Sequence, residues 1–175
     1  MNTTSVTKKE RTLRIISLTI TVAIMILIFV QSAMPDYVSS EESNIIVILI
    51  ESVIEKTGRT VSNRDLVEFV IRKIAHFTEY AAFGASLLFT TSCFLGCNNK
   101  NNKTDGEPRK KLSGILFLLI PWLFGIFYAA TDEIHQLFVP GRYGKFHDVL
   151  IDSAGVAVGI LICYFILRNL YKSRS

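Results

Sequence analysis

Residues 13–31 read LRIISLTITVAIMILIFVQ, a run whose one charged residue is Arg14. A helix crossing the hydrocarbon core of a bilayer needs about 20 consecutive mostly apolar residues, and this stretch supplies them. Lys8, Lys9, Arg11 and Arg14 lead into it, as basic residues lead into a secretory signal. A cleavable signal has a short apolar region and small residues before the cut, whereas a cut after Ala33 puts bulky Gln31 at such a position. The stretch reads as a retained first span. Working outward, three further spans are predicted at about 74–95, 112–138 and 149–170. The predicted fold is an all-α, four-transmembrane-helix bundle forming one domain over residues 1–175.

Composition agrees. Of 175 residues, 50% are hydrophobic and 19% charged, against roughly 25% charged in an ordinary soluble domain. Apolar content this high excludes a disordered chain, and three cysteines exclude a disulfide scaffold. The net charge of +4 follows topology. Basic residues concentrate in the N-terminal arm, in the 97–111 connector (Lys100, Lys103, Arg109, Lys110, Lys111) and in the tail (Arg168, Lys172, Arg174). The positive-inside rule then predicts a multi-pass cell-membrane protein with both termini cytoplasmic. No helix offers a basic face, so nucleic acid is not an expected partner. Cys93, Cys97 and Cys163 fall near cytoplasmic helix ends, where thiols stay reduced.

The segment between the first two spans is predicted to be extracytoplasmic. Ile46, Ile50, Val53 and Ile54 fall at helical spacing, so a short amphipathic helix is expected at the interface or over the mouth of the bundle. Ser62 is the expected cap of the next helix, with Asp65 favouring its positive end. Leu66, Phe69 and Val70 continue that helix into the second span, predicting one rod over about 63–94, roughly 48 Å long.

The ionisable residues inside the spans carry the functional reading. The second span brings Lys73, His76, Glu79 and Tyr80 to its outer turns, within an arc of roughly 120° that also includes Arg72. Tyr128, Thr131, Asp132, His135 and Gln136 share a stripe at the outer end of the third span, with Glu133 turned about 100° from Asp132. Asp148 and Asp152 open the fourth, and Arg142 lies in the short loop before it. Gly155 and Gly159 give that helix a small-xxx-small face for close packing. Charges at membrane depth cost about 2.5–3.5 kcal/mol each, so these groups are expected to face inward and pair. Arg72, Lys145 and His147 are expected as interfacial anchors. The rest form either a structural network that locks the helices or a ligand or catalytic site.

Three blocks then become recognisable: RKIAHFTEY at 72–80, DEIHQLFVPGR at 132–142 and DVLIDSAG at 148–155. With FVQSAMP at 29–35, their order and spacing resemble the VanZ-like family over nearly the whole chain. Asp152 stands where that family commonly has Asn, replacing an amide that donates and accepts with a carboxylate that only accepts. The resemblance implies a bacterial cell-envelope membrane protein and, by analogy alone, a link to glycopeptide resistance.

His-Glu-x-x-His is absent, no Gly-x-Ser-x-Gly elbow occurs, and Pro140–Gly144 is a turn rather than a phosphate loop. No metal and no cofactor is predicted. One reading is a site in the outer leaflet that binds or modifies an anionic envelope lipid or precursor. There Lys73 and Arg142 clamp the anion, Tyr80, Glu133, Gln136, Asp148 and Asp152 line the site, and His76, Glu79, Asp132 and His135 pass protons. The other is a non-catalytic module, in contact with the lipid bilayer, whose charges hold the bundle or dock a partner. Transport is the weakest, because transporter sites lie near the midplane.

Overall fold

The computed structural model describes residues 7–56, 63–96 and 114–173. Ser62, Cys97, Arg174 and the 97–111 connector lie outside them. Five helices follow in order: α1 (Lys8–Ser32), α2 (Asp36–Glu55), α3 (Arg64–Thr91), α4 (Gly114–Gln136) and α5 (Phe146–Lys172). No strand occurs among the described residues.

Helix α1 starts five residues before the apolar run. The Thr7 hydroxyl accepts from Glu10 N–H at 3.3 Å and the Glu10 carboxylate accepts from Thr7 N–H at 3.0 Å. This capping box satisfies two helix-end donors and lets the basic arm coil. Pro35 separates α1 from α2, which extends well beyond the expected amphipathic core at 45–55. Asn63 caps α3 through its side-chain oxygen, which accepts from Leu66 N–H at 3.0 Å. The predicted rod of 63–94 closes earlier as an α-helix, and its last turn widens into a π-turn at Ser92–Gly96. Arg14 Nε donates to the Cys93 carbonyl of that turn at 3.1 Å, tying α1 to it.

Helix α3 is the hub, packing against α1, α2, α4 and most extensively α5. Its contact with α5 depends on glycine. A Cβ on Gly159 would collide with the Ala81 carbonyl, and one on Gly155 would sit 2.6 Å from the Phe77 carbonyl. From the other side, a Cβ on Gly84 would strike the backbone of Val156. Val156 is itself fully buried, with its side chain 2.5 Å from the place of a Gly125 Cβ on α4. Three helices thus meet at one valine. Ile28, Phe83, Leu88 and Ile160 extend this core.

The outward faces are apolar. Ile16, Leu27, Phe127, Leu161 and Phe165 are all about half exposed or more. Apolar surface on this scale belongs against lipid rather than water. Three described helices are long and apolar enough to cross a membrane: Lys8–Ser32, Ile115–Gln136 and Phe146–Leu170. Helix α3, predicted as a fourth span, does not meet that measure. It carries its polar residues among its neighbours, so its composition is that of a central helix rather than a lipid-facing one.

Candidate functional site

The site forms at the end of the bundle where α1 and α4 finish and α5 begins. Helix α4 unwinds through three tight turns, Leu137 N–H to the Ile134 carbonyl, Phe138 to His135 and Val139 to Gln136. Pro140 and Gly141 then form a turn closed by Arg142 N–H donating to the Val139 carbonyl at 3.1 Å. Gly141 has a φ of 79°, the left-handed conformation that the third position of such a Pro-Gly turn requires. The turn aims Arg142 at the end of α1. Its Nε donates to the Met34 carbonyl at 2.8 Å, and a terminal nitrogen donates to the Gln31 carbonyl at 3.1 Å. The guanidinium thereby adds donors to carbonyls where α1 stops and carries the charge that end of the dipole favours.

Beside it lies a cavity of about 240 Å³. Helix α3 contributes Phe69, Arg72, Lys73 and His76; α4 contributes Glu133 and Gln136; α5 contributes Asp148, Ile151 and Asp152. Arg142, Tyr143 and Lys145 of the loop complete the wall. Lys73 Nζ pairs with Asp148 Oδ1 at 2.5 Å, both side chains about one-fifth exposed at 22% and 17%. Lys145 N–H donates to the Glu133 carboxyl at 2.8 Å, tying the loop to α4. Asp152, 2% exposed, sits one turn further into the bundle than Asp148.

A second polar cluster lies between α1, α3 and α4. The Gln136 amide donates to the Ser32 hydroxyl at 3.0 Å and to Asp132 Oδ2 at 3.3 Å. The Tyr80 and Ser32 hydroxyls lie beside the Asp132 carboxyl. Tyr80 is fully buried, and neither its hydroxyl nor Asp132 Oδ1 completes a hydrogen bond of good geometry among the described residues. The Gln31 amide, oriented with its NH₂ toward Glu79, donates to both carboxyl oxygens at 2.5 and 2.9 Å. The His135 ring packs against Phe29 with centroids 4.6 Å apart and the planes tilted by 40°.

The residues singled out from sequence therefore divide. Lys73, His76, Glu133, Gln136, Arg142, Asp148 and Asp152 surround the cavity. Glu79, Tyr80, Asp132 and His135 belong to the inner cluster, with Gln136 touching both. Arg72 and Lys145, expected as anchors, line the cavity wall. Gln31 and Ser32 were not singled out, although both stand in the FVQSAMP segment that carried part of the resemblance. Among the described residues, no three His, Cys, Asp or Glu side chains are placed to share a metal ion.

What the arrangement can do follows from its charges. Four cationic side chains and three carboxyls face one volume, with the His76 ring on the same wall. Comparison with curated proteins and with solved structures finds no match. A family model described as VanZ/LLP1 matches residues 17–168, a stretch holding α2, α3, α4, most of α1 and α5, and every cavity residue. The chain belongs to the VanZ/LLP1 family of membrane proteins.

Proposed function

We propose that the cavity receives the anionic headgroup of a cell-envelope lipid or lipid-linked precursor at the outer leaflet. The observation that carries this is the convergence of Arg72, Lys73, Arg142 and Lys145 on one cavity at the end of an otherwise apolar bundle. Its volume of about 240 Å³ lies below the roughly 300 Å³ at which sites for drug-sized ligands begin, so it suits a headgroup whose tails stay in the bilayer. Arg142 is held by the α1 carbonyls before any ligand arrives, which lowers the ordering cost of binding. The excess of basic residues in the arm, connector and tail supports the outer position, with α3 as the fourth span. A contribution to glycopeptide resistance belongs to this proposal through the family.

A second reading has its own observation. Lys73–Asp148 and the Arg142 bonds each join separate helices, so a purely structural role accounts for those charges. The two readings part at Lys145, whose exposed side chain lines the cavity. Lys145→Gln lowers binding of labelled anionic lipid to the purified protein several-fold under the headgroup reading and leaves it unchanged under the structural one. Complementation of a deletion strain then reports whether glycopeptide susceptibility moves with lipid binding. A Lys145→Cys variant is labelled from outside intact cells by a membrane-impermeant maleimide; labelling only after permeabilisation would place the cavity on the wrong side.

A further inference from the structure

Asp152 makes no hydrogen bond with any described residue, yet it is 2% exposed and lines the cavity. Glu133 and Asp148 line the same cavity, so two further carboxyls face the volume that Asp152 faces. Lys73 is already engaged by Asp148. Glu133 accepts one main-chain N–H, from Lys145, and a carboxyl has room for several donors. Asp152 and Glu133 thus bring two carboxyls to a cavity whose Lys73 is already engaged, and Arg72 and Lys145 line the same volume. Buried carboxyls with few donors are unfavourable, so the pair calls for a group that donates several hydrogen bonds and carries positive charge. Among the described residues no three ligands are placed to share a metal ion, and a primary ammonium, with three donors on one small centre, answers the need better.

We infer that the ligand is zwitterionic, a headgroup whose phosphate meets the Arg72–Lys145 rim while its primary ammonium is taken by Asp152 and Glu133. The inference rests on the headgroup reading above and narrows it from any anionic lipid to an amino-phosphate one. An anionic headgroup lacking the ammonium would leave Asp152 and Glu133 unanswered and bring further negative charge toward them.

The test uses the full-length protein in detergent micelles. Three probes are titrated against a fluorescent headgroup analogue: phosphatidylethanolamine, N-acetyl phosphatidylethanolamine and phosphatidylglycerol. The expected result is binding of phosphatidylethanolamine at least tenfold tighter than the other two, which lack the ammonium. Asp152→Asn, nearly isosteric, should bring phosphatidylethanolamine down to the level of phosphatidylglycerol. Should that variant fail to fold, the wild-type comparison between phosphatidylethanolamine and its N-acetyl form decides alone. Displacement by soluble glycerophosphoethanolamine at a similar concentration upholds the zwitterion and assigns the tails no part in recognition. Equal binding of all three lipids, weakened several-fold in the Lys145→Gln variant, overturns the ammonium while leaving the headgroup reading intact. Absence of binding by every probe overturns both.

Discussion

Along α5, residues 155–160 and residues 145–152 meet α3 in opposite ways. In the first stretch side chains are removed. Gly155 and Gly159 let the α5 backbone lie against the Phe77 and Ala81 carbonyls, and Gly84 receives Val156 from the other direction. In the second stretch side chains hold the helices at a distance, with Lys73 reaching Asp148 across a cavity. Lipid offers no hydrophobic drive between helices, so close van der Waals contact must supply the adhesion. The difference teaches where rigidity comes from: the glycine seam fixes the register of the two helices, and that register keeps a cluster of like and unlike charges around open volume.

Filling the seam is the strongest way to break this comparison. In Gly159→Leu the new side chain meets backbone that cannot move aside, so the loss should exceed the usual overpacking range of about 1–3 kcal/mol. Thermal unfolding in detergent should show little cooperative transition. Gly155→Ala, whose added carbon meets a carbonyl at 2.6 Å, should be milder but still destabilising. A Gly159→Leu protein that melts like wild type would mean the helices are held elsewhere.

Arg142 comes next. Its two bonds to α1 carbonyls are charge-assisted, a class worth about 1.5–3 kcal/mol each when lost from a partner left behind. Arg142→Lys keeps the charge but has no planar fork to span both carbonyls, so it should lose about half of what Arg142→Ala loses. Equal stability of Lys and Arg variants would assign the residue a purely electrostatic part.

How legible this was depends on what decided each feature. Helices α1, α4 and α5 were readable because long apolar runs admit little else, and the predicted boundaries missed mainly by the turns that carry α1 back to Lys8 and α5 from Phe146 to Lys172. Gly155 and Gly159 were visible as a spaced pair on one helix, whereas Gly84 stands alone on α3 and Gly125 alone on α4, and only their common neighbour Val156 shows what they do. Helical phase turned Glu133 away from Asp132, yet both were expected at one site, whereas Glu133 lines the cavity and Asp132 lies in the inner cluster. It could not reveal that α1 supplies Gln31 and Ser32 to the inner one, because no periodicity on α3 or α4 encodes which neighbour covers a face. The partner of Arg142 was hidden for a related reason: it is main chain, which every sequence contains.

The Lys73–Asp148 pair sharpens the comparison at smaller scale. Lys73→Met and Asp148→Asn should each destabilise, and the double variant should recover part of the loss, with a coupling of about 1 kcal/mol. Exposure of about one-fifth on both side chains keeps the value below that of a fully buried pair, where removal of one partner costs about 3–5 kcal/mol. Strictly additive losses would show that the ion pair does not span the gap in solution.

The smallest expected stability effect belongs to Glu133→Gln, and it separates the two regions most cleanly. The Gln side-chain oxygen can still accept from Lys145 N–H, so the loop stays tied to α4 and stability should change by less than about 0.5 kcal/mol. Glu133→Ala removes that acceptor and should lose about 1 kcal/mol more. The Gln variant also takes one negative charge from the cavity wall without altering its shape. If the open end of the bundle exists to hold a ligand ammonium, Gln should weaken binding of an amino-phosphate lipid several-fold at unchanged melting temperature. In the glycine seam no such separation is available, since every substitution that alters the contact alters the fold. A Glu133→Gln protein that loses stability and binding together would show that the charged end, like the seam, is there to hold helices.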